Sequence, residues 1–584
     1  MSLFTDLLAS DKPDIRFLVI LEPYDAAITA TRTLYYSSHG FVSGASDSPA
    51  HTLFAERLSS AISIKRALFK EGRLAGSTLP GGGRLRLSNA DGGLDALAGY
   101  AWSGRRVRVY MGGPGFAFSD FVLIFDGTTA GFEHDDDYFT IVLRDLQEKF
   151  DRLISTARYA GTGGAEGTAN MKDRLKPIAL GLCRNITPVY LGKNTGGRHI
   201  FDVGSGLAGT TGTTNVDAVY VSAVALSAVD GTPAAGQFRH DVANGTIELG
   251  GSITGPITCN VIGLGLESTA FSQAFNVPAV GASIALTVGS GKDFPVNSWV
   301  IVRSATNWNG YWFSGTVTSY VGSTLTMSVV GANGVGVAGA SWVITAYGTV
   351  AQVQKWIANT LGVTSYDATA YAALNAVLAD NVGIWLPEGG TGLDVMDRIA
   401  NGSGTWYTVN RAGQLAVGRI TAPASPVAFY DTRHILSIKR EQTADPTHLV
   451  NLRYQRNWTP LTADQIAGGV SAADRTYFQT EWRQVVAQDS SVLTAYPLAT
   501  PIDLDGVIDH LAYVTTEATR LLDLYKVKRD FFRVRLNVQT MGLEIGQVIN
   551  ITHPRYGLAS GKNFVVVDME EIHELGETEL GIWG

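Results

Sequence analysis

The sequence predicts a mainly β chain of several domains, and three observations point there. From Phe532 onward, apolar Phe532, Val534, Leu536 and Val538 alternate with polar Arg533, Arg535, Asn537 and Gln539, the two-residue period of a strand with one wetted face. The chain of 584 residues holds 66 glycines, is 45% hydrophobic and only 17% charged, which suits short strands and tight turns better than helical bundles. Residues 15–150 offer strand candidates separated by Gly, Pro, Asn or Asp turns, the spacing of a barrel or sandwich. A chain this long exceeds what one core usually serves, so roughly three to five domains are expected.

Taken in order, the candidates of the first unit are 16–22, 34–36, 63–66, 84–88, 105–110, 121–125 and 139–143, with a helix expected over 91–104. Residues 145–153 read as a short closing helix. The glycine-rich run 159–168 then marks a linker. A second β unit follows with strands near 176–181, 187–190, 218–221, 246–249 and 257–261. Five short strands at 283–287, 299–302, 313–317, 324–329 and 341–344 predict a self-contained small barrel. The texture next turns to helix-then-strand. Val350, Val353, Trp356, Ile357 and Leu361 make one apolar helix face, Tyr371, Leu374, Val377 and Leu378 a second, and Leu393, Met396, Ile399 and Ala400 a third. A hairpin over 406–418 turns at Asn410-Arg411-Ala412. In the last unit Val507, Ile508, Leu511, Val514, Ala518, Leu521, Leu522 and Tyr525 recur at helical spacing, with Asp505 as the expected cap. Strands at 532–538, 543–552 and 564–569 close the chain, separated at the end by turns at 553–557 and 561–563.

Composition excludes several classes of function. A formal charge of −8 and a pI near 5.7 disfavour gripping nucleic acid, because such affinity comes from clustered Lys and Arg. Cys183 and Cys259 are too few for a disulfide framework or a four-cysteine zinc site and are expected as buried small hydrophobes. No signal peptide is evident at Met1–Asp6, and no run approaches the roughly 18 apolar residues that a bilayer span needs. Stable membrane insertion is not expected.

Motifs for chemistry are few. Gly204-Ser205-Gly206-Leu207-Ala208-Gly209 fits G-x-G-x-x-G by letters, but threonines and glycine follow it where a pyrophosphate needs a helix N-terminus. Walker A, G-x-S-x-G and H-E-x-x-H patterns are missing. His134-Asp135-Asp136-Asp137 reads as a solvated hairpin turn, since adjacent side chains diverge and a hard cation wants convergent ligands. Asp145 with Glu148, and Glu570, Glu571 and Glu574, read as charged surface rather than acid/base pairs. No catalytic residue, cofactor or metal is therefore expected. Trp308, Tyr311 and Trp312 are open to two readings, barrel core or a partner or glycan contact. Arg105, Arg106 and Arg108 alternate with Val107 and Val109, which makes them a wet strand face or a contact between subunits.

The run Leu543-Glu544-Ile545-Gly546-Gln547-Val548, with His553-Pro554-Arg555-Tyr556-Gly557-Leu558 and Gly581-Ile582-Trp583-Gly584, resembles the C-terminal domain of bacteriophage tail hub proteins. Upstream, 15–150 is similar to the first tube-type domain of such hubs, and Gly315-Thr316-Val317-Thr318-Ser319-Tyr320 resembles a small β-barrel module of phage tail and fibre proteins. The resemblance implies two tail-tube-like β-barrel domains with flanking helices, a small α/β element and an inserted β-barrel. The expected layout is 1–155 N-terminal tube-type barrel, 156–172 linker, 173–275 β domain, 276–347 inserted barrel, 348–424 α/β domain and 425–584 C-terminal tube-type barrel. It further implies a non-enzymatic trimer in the virion tail tip, made in the host cytoplasm, that adapts a six-fold tube to a three-fold tip around a DNA ejection channel. Expected partners are further copies of the chain, a distal tail protein, the tail tube, the tape measure protein, and tip fibre or central spike proteins, with DNA only in transit. Alternatives are a distal tail ring protein and a tail-associated glycan-binding or glycan-hydrolysing protein.

Overall fold

The computed structural model describes residues 3–8, 14–59, 63–69, 79–207, 215–263, 267–441, 444–573 and 575–584. The chain is mainly β and built from several sheets, the largest of which has 15 strands and draws on both ends of the polypeptide. Alternation explains the choice of faces: Phe532, Val534 and Leu536 are fully buried, while Arg533 and Arg535 point away to Asp568 and Glu577.

The two ends share one strand plan. In chain order the N-terminal set is Ser63–Ala67, Leu79–Ser88, Arg106–Gly112, Val122–His134 and Tyr138–Arg144, and its order in the sheet is first, second, fifth, fourth, third. The C-terminal set is Ile435–Glu441, Phe531–Leu536, Val548–Ile551, Lys562–Ile572 and Glu577–Trp583, with the same order. Each third strand carries one more neighbour, Arg16–Leu21 antiparallel in the first set and Ala428–Tyr430 parallel in the second.

The correspondence extends to single residues. Both fourth strands bulge against the fifth, the register skipping from Thr129 to Gly131 and from Val566 to Asp568. Thr129 N donates to Arg105 O and Gly104 N to Thr129 O, both at 2.8 Å. Val566 N donates to Gln547 O at 2.9 Å and Gly546 N to Val566 O at 2.8 Å. Thr129 and Val566 therefore occupy equivalent positions.

Between the sets, a six-stranded sheet runs over Ser268–Ala346, adding Ser268–Asn276 to the five strands read from the sequence. Its core is Phe313, Leu325, Met327, Trp342 and Ile344. The helices Val350–Thr360, Ala368–Val377 and Gly392–Ser403 pack with the long helix Leu511–Tyr525 in one further core. A Thr349 and Gln352 capping box starts the first of them, and Gly404 in the left-handed conformation ends the third.

Four expectations need correction. The helix expected over 91–104 is only the 3-10 turn Asp95–Gly99, because the chain reverses at Gly92 and Gly104, both at positive φ. The closing helix expected at 145–153 is likewise a 3-10 turn, Leu146–Phe150, capped by Asp145. The strand expected from 543 begins at Val548, after a turn through Thr540–Gln547. Asp505 does not cap the long helix. It ends the strand Ile502–Asp505, and the helix starts only at Leu511, because the buried Asp380 carboxylate takes the N–H groups of Asp509 and His510.

Candidate functional site

The two strand sets meet edge to edge. Ser63–Ala67 lies antiparallel on the second half of Lys562–Ile572, with Ala67 opposite Asp568, Arg66 opposite Met569, Lys65 opposite Glu570 and Ile64 opposite Glu571. Val548–Ile551 covers the same edge only from Lys562 to Val565. The bulge thus marks where one neighbour ends and the other begins.

Under this seam lies a largely buried cluster of charge, with Glu544 at its partly exposed side. Arg66, 6% exposed, donates from Nη2 to Glu571 Oε2 at 2.9 Å and from Nη1 to Glu544 Oε2 at 3.0 Å. Arg411, carried in the turn between Thr405–Val409 and Leu415–Arg419, donates to Glu571 Oε1 at 2.8 Å and Glu544 Oε1 at 3.2 Å. It also donates to the carbonyls of Met541 and Thr540. Burial opposes the charge on Glu571, yet Arg411 and Arg66 outweigh it and hold the carboxyl below its ordinary range. Two arginines face two carboxylates, so the cluster is neutral. Its geometry sets how the strand sets join, and removing one member would strand a buried charge.

His573 sits beside the cluster, with its ring 5.7 Å from that of Phe17. Burial holds the imidazole below its usual range, with Arg411 and Arg66 acting in the same direction and Glu571 against it.

The residues singled out from the sequence fall elsewhere. Arg106 makes a bidentate pair with Asp126 at 3.0 and 2.7 Å, Arg108 donates to Glu22 at 2.7 Å, and the Arg105 guanidinium lies 4.8 Å over the Tyr24 ring. All three are engaged within the chain. Trp308 and Trp312 each lie 5.9 Å from the buried Arg303 guanidinium, and Tyr311 is half-buried beside them. The buried aromatics of that sheet include Phe313 and Trp342, and Tyr311 packs against the same core.

Asp135 in the His134–Asp137 turn accepts from the N–H groups of Asp137 and Tyr138. Asp202 accepts from the N–H groups of Gly204 and Ser205, which are therefore turned to a carboxylate and not to a phosphate. Ala208, Gly209 and Glu574 lie outside the described residues. Of the carboxylates expected at the surface, Asp145 is buried and pushed up to about 7, and Glu571 is the buried centre of the seam. Asp145 keeps its hydrogen bonds to the N–H groups of Gly81 and Gln147.

Neither a family model nor a curated protein matches this sequence. Solved structures do match. Three of them are tail proteins, two of these from prophages. The tail protein from Neisseria meningitidis MC58 is 10% identical, with 97% of this chain and 96% of that chain covered and a TM-score of 0.39. The 43 kDa tail protein of prophage MuSo2 from Shewanella oneidensis is 8% identical, with 97% and 98% covered and a TM-score of 0.36. A prophage tail protein from Listeria monocytogenes EGD-e is 11% identical, with 49% and 88% covered and a TM-score of 0.25.

Sequence reasoning missed Arg66, Arg411, Glu544 and Glu571 as a group. A signal for the seam was nevertheless present. Ser63-Ile64-Lys65-Arg66 recurs as Ser437-Ile438-Lys439-Arg440, and the two copies are the first strands of the two sets.

Proposed function

We propose that this chain is a structural component of a phage tail, the hub of the tail tip, with three copies closing a ring around a channel through which DNA passes. The observation that carries the reading is the repeated strand plan, two sets of like order joined edge to edge in one chain. Three copies would present six near-equivalent strand sets to a six-fold tube while keeping three-fold symmetry toward the tip. A distal ring protein with a single tube-type domain would have no use for the second set.

In this reading the tube-type units are 1–155 and 425–584, with 173–275, 276–347 and 348–424 between them. Their partners are the distal tail protein, tail tube, tape measure protein and tip fibres or spike. The 276–347 module, with Trp308, Tyr311 and Trp312, is the part tested for glycan contact, and no bond chemistry is assigned to the chain.

Electron microscopy of the purified full chain tests the proposal. Expected are three-fold rings with six peripheral lobes and a central opening. A monomer that hydrolyses cell-wall or capsule glycan, with turnover abolished by replacing one carboxylate, would replace the hub with an enzyme.

A further inference from the structure

We infer that Ile435–Glu441 of one chain docks on a second copy, antiparallel to the Gly131–His134 stretch of its Val122–His134 strand, repeating between chains the seam that Ser63–Ala67 makes within one. This rests on the ring reading and adds to it the strand, its partner and the register.

The argument is one of equivalent positions. Within the chain, the first strand of the N-terminal set covers the fourth strand of the C-terminal set beyond its bulge. The converse positions are open among the described residues. Arg106–Gly112 covers Val122–His134 only from Val122 to Thr128, and Tyr138–Arg144 takes the other side. Gly131–His134 is thus left with one free edge. Ile435–Glu441 pairs with Phe531–Leu536 on one side and ends the sheet on the other. An exposed edge strand is a ready template for pairing with another chain. This one repeats the Ser-Ile-Lys-Arg wording of the strand that already docks.

The register follows from the shared bulge. Gly131 corresponds to Asp568, which faces Ala67, so Glu441 falls opposite Gly131, Arg440 opposite Phe132 and Lys439 opposite Glu133. The Lys439 and Glu133 pair then reproduces Lys65 opposite Glu570. Charge agrees with this placement: exposed Lys439 and Arg440 meet a rim of exposed Glu133, Asp135, Asp136 and Asp137. Docking would have to exchange partners, since within the chain Lys439 is paired with Glu441, Arg440 with Asp530 and Glu133 with Arg84. A first strand on a fourth strand is a head-to-tail contact, which generates a ring where the rotation between successive copies closes.

The test is a cross-link in the full-length protein carrying Glu133→Cys and Lys439→Cys, the native Cys183 and Cys259 being buried. Oxidation, or a short bis-maleimide, is expected to join chains into a covalent species of three on a denaturing gel, whereas either single variant stays at one. Lys439→Glu is expected to shift the mass in solution from three chains toward one, and Glu133→Lys added to it to restore three. Native rings that neither cross-link nor respond to Lys439→Glu would overturn the strand assignment while leaving the ring intact. A native chain that stays monomeric at every concentration would overturn the ring reading itself.

Discussion

Arg66 and Glu571 are 505 residues apart in the chain, and their side chains meet at 2.9 Å in a site almost closed to water. Glu571 also holds Arg411, so one carboxylate joins both ends of the polypeptide to the hairpin of the central element.

Glu571→Gln should destabilise the fold by about 3–5 kcal/mol, because it leaves two buried guanidiniums facing one carboxylate. Adding Arg66→Met removes one of those charges and should recover a good part of the loss. Urea denaturation of the single and double variants gives the coupling. A loss under about 1 kcal/mol for Glu571→Gln would show that the cluster contributes little.

Acid should weaken the same seam. The folded carboxyl of Glu571 lies below its ordinary 4.5, so its contribution is present above that pH and is lost as the pH falls through the lower folded value. Thermal melts of the native chain should therefore fall steeply below about pH 4.5, and those of Glu571→Gln more gently. Parallel curves for the two proteins would contradict this.

His510 should act with the opposite sign. Its ring stacks on Trp299 at 4.4 Å and 9°, Nδ1 bonds the buried Asp380, and Asp509, paired with Arg184, lies 3.8 Å from Nε2. Burial disfavours the imidazolium and Arg184 adds to that, but the two carboxylates outweigh both and raise the folded value above 6.5. The stabilisation is complete below that pH and is lost as the pH rises through the folded value. The melting temperature of His510→Gln should consequently lie furthest below the native one at pH values under 6.5, with the gap narrowing as the pH rises through the raised folded value. A gap that does not change with pH would show that the ring matters only for packing.

Two glycines at positive φ should behave differently. A Cβ on Gly181 would come within 1.8 Å of Val382 O, whereas one on Gly322, in a hairpin turn, meets open space. Gly181→Ala should cost several kcal/mol, roughly 4 or more, or abolish soluble expression, while Gly322→Ala should cost about 1 kcal/mol from backbone strain alone. Similar melting temperatures for the two would refute the packing at Gly181.

Much of the fold was legible in the residues. The two-residue alternation at Phe532–Leu536 marked a strand and its buried face, and the apolar spacing at Val350, Val353 and Ile357 marked a helix. Short-range chemistry was less legible where a distant group intervened. Nothing near Asp505 reveals that Asp380, more than a hundred residues earlier, takes the N–H groups that set where the last helix starts. Arg105, Arg106 and Arg108 were recognisable as a wet face, but their partners Tyr24, Asp126 and Glu22 were not.

By itself, then, the sequence marked many of the strands, such as Phe532–Leu536, with their apolar side and several of the turns between them, since these depend on neighbours a few residues away. Tertiary structure alone decided that Ser63–Ala67 lies against Lys562–Ile572 and that Arg66 and Arg411 share Glu571. The physical reason is that any strand edge offers the same N–H and C=O groups to any other, so the choice of neighbour comes from the packing of the whole chain and the burial of those few charges.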